Sequence, residues 1–124
     1  MYYKGKMHRK VFEDQVKRNP CKSSDAYWAA VYLLCADKEL WRCAQYIVYK
    51  KRINFSALRH KGLGENAYAL FKTAQDIFTG TTHLPFRDLC NPYVVSDKVF
   101  DLIMTALRIA RGRCDIDQIK NAAV

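Results

Sequence analysis

No stretch of this 124-residue chain stays apolar for the about 18 residues that a membrane span needs. The basic start, Met1 to Lys10, has no apolar run behind it of the kind a secretory leader carries. These absences lead to the expectation of a cytoplasmic protein without a membrane partner. A Cys-x-x-Cys pair is missing too. The five cysteines, Cys21, Cys35, Cys43, Cys90 and Cys114, are odd in number and come singly, which leaves no redox centre or zinc knuckle and points to reduced thiols. His8, His60 and His83 are equally isolated. Cys35 and Cys43 flank one turn, and His83, Asp88 and Cys90 share one loop, but free cysteines in such settings act mostly as small buried apolar groups.

Phosphate-cradling glycine patterns are absent: neither Gly-x-Gly-x-x-Gly nor Gly-x-x-x-x-Gly-Lys-Ser/Thr occurs. Lys61-Gly62-Leu63-Gly64-Glu65 is similar to a short string in type II topoisomerase subunits, and Asp115-Ile116-Asp117 to their magnesium pair. The two strings stand here in the reverse order, so Gly62 and Gly64 are read as shaping the loop into the next helix. The acidic residues are scattered at helix starts, where they serve the helix dipole. The expectation is therefore a binding protein that is not an enzyme, with no catalytic residue, no metal and no cofactor.

Half of the residues are hydrophobic, enough for one folded domain over residues 1–124, with a core over about 8–112 and terminal segments at 1–7 and 113–124. The net charge is +9 and is unevenly spread. Residues 1–61 hold fourteen Lys and Arg against five Asp and Glu, whereas residues 62–124 hold seven of each. The entire excess lies in the first half. Such a surface attracts phosphates or acidic proteins.

Helical periodicity dominates the chain, with no long strand alternation, internal repeat or linker. Val11, Phe12 and Val16 mark an amphipathic helix over 8–18 that Asn19-Pro20 closes. A cap at Ser23 to Asp25 opens a helix to about 35 that is apolar on most sides, the expected centre of the core. Asp37 caps a third helix, in which Leu40, Ala44, Ile47 and Val48 share one face and Arg42, Gln45, Tyr46, Tyr49 and Lys50 the other. On this reading Lys50-Lys51-Arg52 complements the helix's carbonyl end. Ile53, Phe55 and Leu58 tuck inward from a connection, a helix spans Glu65 to Thr79 with Gly80 as its left-handed stop, a short turn falls at Phe86 to Cys90, and Ser96 caps a helix that ends at Gly112. A short last helix follows Asp115. The fold class is all-α: a compact single-domain bundle of five main helices plus one or two short ones.

The strongest candidate for a partner-binding site is Arg42, Tyr46, Tyr49, Lys50, Lys51, Arg52, Arg59 and Lys61. Cations there meet phosphates or carboxylates while tyrosine rings offer flat surfaces to bases or to a protein. The plain alternative is a solvated helix face whose lysines maintain solubility.

The pattern His8-x-x-x-Phe12, Tyr32-Leu33-Leu34 with Asp37 and Leu40-Trp41, Ala69-Leu70 with Ala74, Ile77-Phe78-x-Gly80, and Phe100 with Leu102 and Ala106-Leu107-x-Ile109 runs over residues 8–112. In these positions the chain resembles an uncharacterised family of small all-helical proteins from phages and conjugative elements of Firmicutes. It departs from that family between Ile53 and Glu65, where the family is acidic and this chain is basic. The resemblance implies a mobile genetic element and a bacterial host cell, and it brings no catalytic residue. Small accessory proteins of that setting, anti-CRISPR proteins among them, commonly bind and block a host defence component. The implied function is inhibition of a Cas effector, through an acidic protein surface or a protein–nucleic acid complex. The alternative is a small basic nucleic-acid-binding regulator.

Overall fold

The computed structural model describes residues 1–19, 23–59, 61–113 and 116–121; Pro20, Cys21, His60, Cys114 and Asp115, all raised by the sequence, lie outside them. Seven helices account for most of the described chain: α1 (Lys6–Arg18), α2 (Asp25–Leu34), α3 (Lys38–Ala44), α4 (Glu65–Thr79), α5 (Phe86–Leu89), α6 (Asp97–Ala110) and α7 (Ile116–Asn121). Five of them have seven residues or more, so the fold is the mostly helical bundle that the periodicity predicts.

Helix α2 is the axle. Every residue from Tyr27 to Leu34 is buried, and α4 and α6 pack along it on different sides. A helix apolar all round has no face to give to water, so it is stable only when neighbours cover it completely. The neighbours supply matching stripes: Ala67, Leu70, Phe71 and Ala74 from α4, and Val99, Leu102, Ile103 and Ala106 from α6. Burying each large aliphatic or aromatic side chain contributes about 1.5–3 kcal/mol, which makes these stripes the main source of stability. Phe12 and Val16 of α1 close another side, and Phe12 stands edge-on to both Trp28 and Tyr32.

The helix boundaries follow their caps. The Ser24 hydroxyl accepts from the Tyr27 N–H, the Asp37 carboxylate from Leu40 N–H at 2.9 Å, and the Ser96 hydroxyl from Val99 N–H. Each such bond satisfies a donor the helix leaves open, worth about 1 kcal/mol. Gly80 ends α4 with φ 75°.

The third helix departs from expectation. It stops at Ala44, and the chain then turns into a two-stranded antiparallel hairpin, β1 (Val48–Tyr49) and β2 (Arg52–Ile53), with Lys50-Lys51 as the loop. Val48 lies opposite Ile53 and Tyr49 opposite Arg52, so the first pair faces the core and the second faces solvent. β-branched Ile47, Val48 and Ile53 favour this extended geometry, and only the hairpin carries Ile53, Phe55 and Leu58 back to the interior. Lys50-Lys51-Arg52 is thus a hairpin tip and not a helix terminus, and Arg42, Tyr46, Tyr49 and Lys50 do not share a helix face. A single turn of 3-10 helix over Phe55–Ala57 leads out of the hairpin.

Among the described residues no helix is long and apolar enough to cross a membrane.

Candidate functional site

Hairpin geometry decides which of the eight predicted residues lie together. Tyr46, at 84% exposure, and Tyr49, at 69%, are among the most exposed large apolar side chains of the protein. Lys50 and Lys51 follow at the loop and Arg52 sits across the ladder from Tyr49. The Lys50 ammonium lies 5.3 Å from the centre of the Tyr49 ring, within cation–π range. None of these three cations forms an ion pair among the described residues.

The loop is held from below. Lys50 has φ 56°, a left-handed conformation that costs a non-glycine residue about 1–2 kcal/mol. What holds it there is Asn19, whose buried side-chain amide donates to the Lys50 carbonyl, with the Ser23 hydroxyl donating to the same oxygen at 3.5 Å. Beneath the tip, Arg18, Asn19, Tyr27 and Gln15 join Tyr49 and Lys50 around a cleft of about 280 Å³. The end of α1 thereby adds Arg18 to the hairpin's positive charge. Asn19 was legible only as a helix stop, because its second role depends on a segment 31 positions away.

Arg42, Arg59 and Lys61 belong elsewhere. Arg42 pairs with Glu39 at 3.4 Å on the exposed side of α3. Arg59 and Lys61 line a cleft of about 610 Å³ together with the carboxylates Asp37, Glu39 and Glu65 and the loop Gly62-Leu63-Gly64. Positive charge is offset there. The part of the predicted surface that forms no ion pair among the described residues and lies outside that carboxylate-lined cleft is therefore Tyr46, Tyr49, Lys50, Lys51 and Arg52, with Arg18 added.

Two histidines have definite structural roles. His8 is buried in a ring cluster with Tyr3, Phe12 and Tyr32. Its Nδ1 accepts from the Lys4 N–H at 2.9 Å, so the ring proton sits on Nε2 and donates to the Tyr32 carbonyl at 2.8 Å. Burial lowers its pKa to about 4, and the Lys4 charge pushes the same way, against the Tyr32 carbonyl. His83 bonds to Asp76 through Nδ1 at 2.8 Å. The Asp76 carboxylate also receives the His83 and Leu84 N–H groups and the Thr81 hydroxyl. Burial alone would raise the Asp76 pKa, but these donors outweigh it and hold the carboxyl below its usual range. This network ties the loop after α4 to that helix. The loop-borne Cys90 is an exposed free thiol, and Cys35 and Cys43 are likewise unbridged.

Among the described residues no group of three or more His, Cys, Asp or Glu is placed to hold a metal ion. No protein-family model matches the chain, and no curated protein or solved structure matches it either.

Proposed function

We propose that this protein is a non-enzymatic binding protein whose tyrosine-bearing basic hairpin captures an acidic partner. The observation that carries the reading is the pairing of two highly exposed tyrosines with three cations that form no ion pair among the described residues, on a hairpin whose loop Asn19 holds in place. Tyrosine and arginine supply a disproportionate share of protein–protein binding energy, since they combine apolar area with polar tips. Fixing the loop beforehand removes part of the ordering cost of association. In the mobile-element setting that the resemblance implies, the partner is a host defence component, with Cas effectors the first class to assay. Co-purification with a panel of effectors, together with a plasmid-interference assay in cells, tests this: capture and relief of interference support it, and normal interference with every effector type contradicts it.

A second reading rests on the cation–ring contact of Lys50 and Tyr49 beside exposed Tyr46. Flat rings flanked by cations are what sequence-tolerant single-strand binders use. That function predicts a mobility shift with single-stranded nucleic acid that weakens steeply with salt, and no shift at low salt removes it.

A further inference from the structure

A second surface, sharing no residue with the hairpin, lies between the start of α1 and α3. Met7 and Val11, one turn apart on α1, face Trp41 of α3 across a groove of about 670 Å³. The turn Cys35-Ala36, at the end of α2, forms its floor. Met7 is 70% exposed, whereas Val11 one turn on is half-buried and Phe12 and Val16 are buried, so its thioether is left to solvent beside a half-buried indole. Flexible methionine and flat tryptophan together suit a surface that accommodates apolar side chains of a partner.

The rim is positive on both sides. Lys4 and Lys6 stand on one bank and Lys38 on the other. Lys6 and Lys38 form no ion pair among the described residues, and Lys4 reaches only Asp37, at 4.0 Å, whose carboxylate already caps α3. The same groove holds the N-terminus of α1, a thirteen-residue helix with no side-chain cap and no acid in its first turn. A helix start without a negative group favours an incoming carboxylate. One carboxylate would be served by one ammonium. Three ammoniums spread over two banks, with a helix N-terminus between apolar walls, call for several carboxylates arranged around apolar anchors.

From this charge complementarity we infer that the α1–α3 groove docks an acidic amphipathic helix of a partner protein. Its apolar residues, at i, i+3 or i+4 spacing, sit between Met7, Val11 and Trp41, and its flanking Asp or Glu side chains meet Lys4, Lys6 and Lys38. The inference is independent of the hairpin reading, because the two surfaces have separate cations.

The test uses the full chain and a panel of synthetic amphipathic peptides of about 15 residues, long enough to form helix. They carry Leu, Phe or Ile on one face and Glu on the other, alongside counterparts with Lys in place of Glu. Fluorescence anisotropy should show saturable binding of Glu-bearing peptides and none of the Lys-bearing set. NMR shift changes should centre on Met7, Val11, Lys38 and Trp41. The surface variant Lys6→Glu/Lys38→Glu should weaken binding at least tenfold, and Lys50→Glu/Lys51→Glu should leave it unchanged. Failure of every Glu-bearing peptide to bind, equal binding of both charge types, or shifts centred on the exposed Phe86 and Tyr93 would each overturn the inference.

Discussion

The side-chain amide of Asn19, at the end of α1, donates to the main-chain carbonyl of Lys50 at the tip of the hairpin. This bond joins two segments 31 positions apart and keeps a lysine in a left-handed conformation that its own side chain disfavours. Asn19→Ala leaves a carbonyl without its buried donor, so a loss of about 1–2 kcal/mol in unfolding free energy is expected. A larger relative loss in partner affinity should accompany it, because the loop is no longer fixed. Urea unfolding and binding measured on the same variant check both.

Lys50→Gly separates conformation from charge. Glycine adopts φ 56° without strain, so stability should rise by up to about 1 kcal/mol while partner binding falls. A thermal melt and a binding titration that move in opposite directions are the expected result.

Tyr46 and Tyr49 expose most of their surface. Replacing either by Ala should change stability by no more than about 0.5 kcal/mol, yet weaken partner binding by about tenfold if the rings are anchoring contacts. Unfolding midpoints beside affinities separate this role from one in the core.

His8 makes stability depend on pH. In the unfolded chain it titrates near 6.5, but in the fold only near 4, because burial disfavours the charged ring and the Lys4 ammonium repels it, against the Tyr32 carbonyl. Between these values the unfolded state binds more protons. Its stabilising contribution is therefore complete above pH 6.5 and is lost as pH falls toward 4, by about 3 kcal/mol. Replacing it, as in His8→Gln, should flatten the difference between unfolding free energies measured at pH 7 and pH 4.5.

Asp76 acts further down the pH scale. Its carboxyl is held below the usual range, so its stabilisation is present at neutral pH and lost as pH falls through that lowered value. Asp76→Ala removes the acceptor of the His83 and Leu84 N–H groups. A cost of about 2–3 kcal/mol is expected, as for hydrogen bonds to a charged group, with faster amide exchange confined to residues 81–84.

Most of the helical frame was legible because its signals are local. Ser24, Asp37 and Ser96 are cap residues, Gly80 is a stop, and the apolar residues of α2 have no polar side to offer. The hairpin was hidden for an equally physical reason. Leu40, Ala44, Ile47 and Val48 keep helical spacing past the true end of α3, the strands are two residues long, and the loop uses Lys50 where glycine or asparagine would have announced a turn. The β-branched trio Ile47, Val48 and Ile53 was the available sign. For the candidate site, the sequence grouped the cations at 50–52 and the two tyrosines, which the hairpin does place together, with Arg42, Arg59 and Lys61, whose acidic neighbours are set by tertiary structure. Asn19 and Arg18 joined the site only through long-range packing.

The central claim is that the hairpin is the surface through which the protein holds its partner. The most direct test is quantitative capture of Cas effectors by the wild-type protein and by the Lys50→Glu/Lys51→Glu/Arg52→Glu variant, with unfolding midpoints measured in parallel. The account predicts capture by the wild type that falls at least tenfold in the variant at an unchanged midpoint. Undiminished capture by the variant, or no capture of any effector by the wild type, would contradict it.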